Sequence, residues 1–225
     1  MKLNPQGSKM AKSVSTTIST PSAILTFPNL AKPAQIDGKG EPLFSANLLF
    51  DVPNFSPADE KLWRKLRETG MNDFISKFGE GEDTVEDKAK FKLAEGYIWP
   101  VRSALTKKKY AGFTKGRQFI SVKSQNRPSL GRIEMVDGKV KVVKTDDLTL
   151  FYPGAHIRAK VSTWAFDNVS KGLRFNLEAL VFLTHGERLA GGGIDVKEAF
   201  EDEDFSDYND VLNADVGDEE DEDIV

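Results

Sequence analysis

Apolar and β-prone side chains recur over residues 23–30 and again over 43–52, with the turn-like Asp37-Gly38-Lys39-Gly40 between them. That pattern predicts a hairpin. Ser56-Pro57 then reads as an N-cap followed by proline in the first helical turn, and Leu62, Trp63, Leu66, Met71, Phe74, Ile75 and Phe78 recur at helical spacing up to Gly79. One amphipathic helix is expected there, with Gly70 a candidate bend or break. Short strands are predicted over residues 97–102 and 117–123. A second hairpin, 132–136 with 139–143, turns at Asp137-Gly138, a dipeptide suited to a type I′ turn. Further on, Ile157, Ala159, Val161, Thr163 and Ala165 share one strand face, opposite His156, Arg158, Lys160, Ser162, Trp164 and Phe166. In the last strand Leu173, Phe175, Leu177, Ala179, Val181 and Leu183 form a wholly apolar face that belongs over the core. Many short strands with one or two helices make a mainly β chain, a small barrel or sandwich with helical and hairpin insertions.

The chain has 225 residues, the length of one domain with tails. A core domain is expected over residues 21–194, between a polar arm at 1–20, expected to be flexible, and an acidic tail at 195–225; Met10-Ala11-Lys12 is a second candidate start. No apolar run reaches the roughly 18 to 20 residues of a membrane helix, and the N-terminal residues lack the apolar stretch of a secretory signal. The expected compartment is the cytoplasm, with no membrane partner. The absence of Cys removes disulfides, thiolate metal sites and a Cys nucleophile. His156 and His185 have no nucleophile motif beside them and read as structural or surface residues. Asp51, Asp146 and Asp147 are the best carboxylates for a two-metal nuclease, yet their spacing does not converge them. No catalytic residue, metal or cofactor is assigned.

The net charge of −4 conceals two opposed segments. Residues 195–225 carry 15 Asp and Glu against Lys197 alone, which leaves 20 acids and 30 bases in the other 194 residues. Much of that positive charge gathers between Lys88 and Arg132, where twelve Lys and Arg meet one acid, Glu95. They are interleaved with Phe91, Tyr97, Trp99, Tyr110, Phe113 and Phe119.

A groove for unpaired nucleic acid needs cations that track phosphates and flat rings on which bases stack. The candidate residues are Lys88, Lys90, Lys92, Trp99, Arg102, Lys107, Lys108, Lys109, Tyr110, Phe113, Lys115, Arg117, Phe119 and Lys123. Arg158, Lys160, Trp164 and Phe166 repeat the pairing on one face of a later strand, and Arg174 is a candidate to extend it. Phe91, Trp99 and Phe119 fit core positions equally well, because a strand buries every second residue. Lys107-Lys108-Lys109-Tyr110, followed by Gly112 and Gly116, reads as a flexible basic loop. The tail cannot bury enough apolar surface to offset its ordering entropy, so it is expected to be disordered. Tethered beside a cationic groove, it would compete with DNA at high effective concentration. Its end, Asp218, Glu219, Glu220, Asp221, Glu222, Asp223, Ile224 and Val225, is the candidate contact for protein partners.

Phe151-Tyr152-Pro153-Gly154 leads into Ile157-Arg158-Ala159, then Ala165-Phe166-Asp167-Asn168, Lys171-Gly172-Leu173-Arg174-Phe175 and Gly186-Glu187-Arg188-Leu189 before a Gly triplet. In order and spacing this stretch, about residues 150–193, resembles the OB-fold single-stranded-DNA-binding proteins of tailed bacteriophages. The resemblance implies a five-stranded OB barrel with insertions and a non-enzymatic protein in the cytoplasm of an infected bacterium. It also implies cooperative coating of single strands, as oligomer or filament, in phage DNA replication, recombination and repair, and tail contacts to replication or recombination proteins. Duplex DNA is a second expected ligand, since charge alone does not exclude it. Tails in the wider group often end in an aromatic residue, whereas this one ends Ile224-Val225. Two other readings remain: an acidic tail that mimics DNA to occupy a host factor, and a metal-dependent nuclease.

Overall fold

The computed structural model describes residues 17–36, 39–79, 96–167 and 170–189. Lys88, Lys90 and Lys92, most of the arm and the whole acidic tail lie outside the described residues.

Strands β2 (Ala23–Ile36) and β3 (Lys39–Phe50) form the first predicted hairpin, and β3 continues antiparallel onto β5 (Gln118–Ser124). β5 lies parallel to β9 (Lys171–Thr184), β9 is antiparallel to β8 (His156–Asp167), and β8 returns to β2. Five strands therefore pair in a ring. Two of its seams are thin: β2 meets β8 only at Ala23↔Ile157 and Ile24↔His156, and β5 meets β9 only at Val122↔Phe175 and Lys123↔Asn176. This matches the expected OB architecture, a five-stranded and partly open barrel. β1 (Ile18–Ser19) adds to β8, and β4 (Val101–Ser103) to β5. The second predicted hairpin, β6 (Ser129–Val136) with β7 (Lys139–Lys144), is an insertion that joins the sheet through β6 alongside β9.

Alternation along these strands fills the barrel with Leu25, Leu48, Phe50, Ile120, Val122, Ile157, Val161 and Phe175, all essentially buried. Helix α1 (Pro57–Phe78) begins as the sequence predicts, with the Ser56 hydroxyl accepting from the Asp59 amide at 3.1 Å. Trp63 and Leu66 on its first half join the barrel core, and Phe74 and Phe78 build a second cluster with Leu173. The helix does not split into two elements at Gly70. A Cβ there would lie 3.2 Å from Leu173 Cδ2 and 3.4 Å from Phe175 Cζ, so this glycine admits the close approach of β9.

The expected apolar face of β9 is interrupted. Its register with β8 steps from Lys160↔Ala179 to Val161↔Leu177, leaving Glu178 as an extra residue, a β-bulge. Side-chain parity reverses there: Leu173, Phe175 and Leu177 are buried before it, and Leu180 and Phe182 after it, in place of Val181 and Leu183.

Two of the resemblance motifs meet in space. Leu189 N donates to Pro153 O at 3.0 Å, and the Tyr152 hydroxyl both donates to Gly186 O at 3.0 Å and accepts from Gly186 N at 3.1 Å. His185 stacks on Tyr152 with centroids 5.9 Å apart, and Arg188 covers the same ring at 4.4 Å. Gly154 has φ +110, and a Cβ there would fall 1.9 Å from Glu187 O. Only glycine fits this crossing.

Candidate nucleic-acid interface

The segment after β4 starts as a 3-10 turn, Ala104–Lys107, capped by the Ser103 hydroxyl on Leu105 N. It goes on as hydrogen-bonded turns, Tyr110 N to Lys107 O at 3.0 Å and Phe113 N to Tyr110 O at 3.2 Å, linking β4 to β5. Arg117 pins its far side, donating to Gly112 O at 2.9 Å and pairing with Asp51 at 3.2 Å. These turns lay Lys107 across a ring cluster. Its ammonium is 5.0 Å from the Phe27 centroid, 5.4 Å from Phe119 and 6.0 Å from Phe113, while Arg102 stands 4.9 Å from Phe119. Desolvation among the rings, and then the Arg102 charge, hold the Lys107 ammonium below the ordinary lysine value.

From this cluster a groove of about 440 Å³ runs over Asn47, Ser121 and Lys123. Its floor is hydrogen-bonded: Arg102 Nη2 donates to Ser121 Oγ at 2.8 Å, and Ser121 Oγ to Asn47 Oδ1 at 2.7 Å. Lys123 also lines a second groove of about 620 Å³, which contains Trp164, Arg174 and Asn176. Trp164 is 52% exposed, with the Arg174 guanidinium 5.5 Å from its ring, and Arg174 Nε is buried without a hydrogen-bond partner among the described residues. The two grooves share Lys123 and each has a ring and cations in its lining, which makes them together the candidate trough; Glu41 and Glu178 also line the second.

The candidate residues divide. Arg102, Lys107, Lys123 and Trp164 line the trough, and Tyr110, 40% exposed, borders it beside Phe27. Phe113 and Phe119 are buried beneath Lys107 and offer no ring face to solvent. Trp99 is half-buried against α1, 6.1 Å from Phe74. Arg158 is turned to the start of α1, where it pairs with Asp59 at 2.8 Å. Lys108, Lys109, Lys115 and Lys160 are exposed, Lys109 lying 5.0 Å from the Tyr110 ring. Sequence reasoning missed Phe27 and the polar floor. Phe27 sits in an apolar strand where alternation assigns it to the core, and Asn47 and Ser121 carry no charge to mark them.

Two of the three carboxylates considered for a nuclease are engaged elsewhere, Asp51 with Arg117 and Asp147 with Thr149. Among the described residues no group of three or more His, Cys, Asp or Glu is placed to hold a metal. Nor is any helix among them long and apolar enough to cross a membrane.

The barrel and its insertions place the chain in the OB class of β proteins. Within that class it belongs to the family of the Enterobacter phage Enc34 ssDNA-binding protein, whose model matches residues 16–212. That family is one of binding proteins, not of enzymes. A relative, protein p50 of Acyrthosiphon pisum secondary endosymbiont phage 1, is 24% identical over 191 residues, 84% of this chain and 94% of p50. The structure of the Enc34 single-stranded DNA-binding protein in complex with ssDNA is similar at TM-score 0.55 and 17% identity, covering 82% of this chain and 100% of that one. The single-stranded DNA-binding protein gp2.5 of bacteriophage T7 is similar at TM-score 0.52 and 11% identity, covering 81% and 99%. At these identities the structural likeness carries the fold.

Proposed function

We propose that this protein binds single-stranded DNA with little sequence preference, along the trough from Phe27 and Tyr110 to Trp164 and Arg174. Family membership supports the ligand. The observation that supports the location is that Lys123 lines both grooves, the one with Phe27, Arg102 and Lys107 and the one with Trp164 and Arg174. Uncharged Asn47 and Ser121 on the floor do not repel a polyanion. In this reading the protein coats strands during phage DNA replication, recombination and repair in the host cytoplasm. Its acidic tail competes with DNA for the trough, and Asp218 to Val225 reach replication partners once DNA is bound.

The test is a fluorescence titration with oligo-dT over a salt series. Binding is expected to weaken steeply with salt, the logarithmic slope being about −0.7 per phosphate neutralised. Trp164 is exposed in the trough, whereas Trp63 is buried 4.8 Å from Phe50, so Trp164→Phe is expected to remove most of the quenching. Binding without a salt slope, or quenching unchanged in Trp164→Phe, would reject the location. If Lys107→Ala, Lys108→Ala and Lys109→Ala combined leave DNA affinity intact at low salt, the basic body is a scaffold and the DNA-mimicry reading gains.

A further inference from the structure

Phe27 occupies a place that strand alternation does not explain, its ring lying against Tyr110 and Phe113. The alternation that buries Ala23 and Leu25 in β2 would carry Phe27 inward as well. The register with β3 instead steps from Thr26↔Asn47 to Asn29↔Ser45, three residues against two, so Phe27-Pro28 forms a β-bulge. Parity reverses across it: Leu30 is buried and Phe27 is 39% exposed. Phe27 has φ +48, a backbone region that bulky residues rarely occupy, and proline follows, which ordinarily confines the preceding residue to extended backbone. A strained backbone that turns a large ring out to solvent is the kind of feature that collects at binding sites.

The surroundings give the ring a use. Tyr110 meets Phe27 edge-on with centroids 5.0 Å apart, and the Lys107 ammonium lies 5.0 Å from the Phe27 centroid. Among the described residues neither Lys107 nor Arg102 is ion-paired to a carboxylate. We infer that Phe27 and Tyr110, with Lys107 and Arg102, form a slot for one unpaired nucleotide, its base stacked on Phe27 and its phosphate between the two cations. This rests on the single-strand reading above and names the residue on which stacking in that half of the trough depends. The bulge turns the ring outward, and the cation pair sets the spacing of phosphate to base.

The experiment compares binding of oligo-dT and of an abasic strand of equal length by the full chain, by Phe27→Leu and by Lys107→Ala. Phe27→Leu keeps apolar bulk and removes the flat ring. It is expected to lower oligo-dT affinity roughly 5- to 100-fold and to leave the abasic strand unaffected. Lys107→Ala is expected to weaken both. Thermal melting of Phe27→Gly and Phe27→Ala supplies the backbone arm, and the glycine variant is expected to melt higher because it relieves the positive φ. Unchanged oligo-dT affinity in Phe27→Leu overturns the slot alone, whereas failure of the unsubstituted protein to bind oligo-dT overturns the single-strand reading with it. Equal losses on both strands make Phe27 a support for the trough and overturn base stacking. An alanine variant that melts as high as the glycine variant overturns strain as the device that holds the ring out.

Discussion

Lys107 shows at the scale of one residue how binding and folding pull apart. Its ammonium is partly desolvated over three rings and faces Arg102, so its charged form is disfavoured in the folded state. The folded value lies below the ordinary lysine value of 10.5, and the folded chain therefore releases this proton first as pH rises. The destabilising contribution is full below the folded value and is relieved between it and the unfolded value. Lys107→Met keeps the stem over the rings and discards the charge. We expect it to match or exceed the parent in urea midpoint at pH 7, to lose that margin near pH 10, and to bind oligo-dT more weakly, most of all at low salt. A lower midpoint at pH 7 would show that the cation–ring contacts outweigh desolvation. At this scale the sequence was a partial guide. It brought Lys107, Tyr110 and Trp164 forward because basic and aromatic residues are interleaved, but Phe113 and Phe119 share that pattern and serve as the packed floor.

At the scale of elements, the most recognisable stretch of the sequence turns out to be a clasp. Tyr152 and Gly154 cross the strand end at Gly186 and Glu187 with backbone in direct contact, a geometry whose packing alone demands these residue types. Gly154→Ala puts a Cβ into Glu187 O and asks alanine to hold φ +110, two penalties at once. A destabilisation of about 3 kcal/mol or more is expected, read as a shift in the urea unfolding midpoint. A shift under about 1 kcal/mol would mean that the clasp yields easily. The helix start at Ser56-Pro57 and the strand sequence were legible because capping and alternation are local. The bulges at Phe27-Pro28 and Glu178 were not, because the extra residue is extra only relative to a partner strand far away in sequence.

For the whole molecule the charge division has a consequence that can be measured. In the proposed reading residues 195–225, with 15 acids, compete with a polyanion for a body that has ten more bases than acids. Removal of residues 198–225 is expected to tighten oligo-dT binding at low salt, and the gain should shrink as salt screens the tail. Equal affinity of truncated and full chains at low salt would dismiss the competition.

The amino-acid order by itself determined the element sequence, the mainly β class, the basic and acidic division and the family likeness, since each depends on neighbours along the chain. Tertiary structure alone decided which rings face solvent and which cations share a path. Those outcomes depend on strand register and on a bulge that reverses side-chain parity, and both are relations between residues that the chain brings together only when distant strands pair.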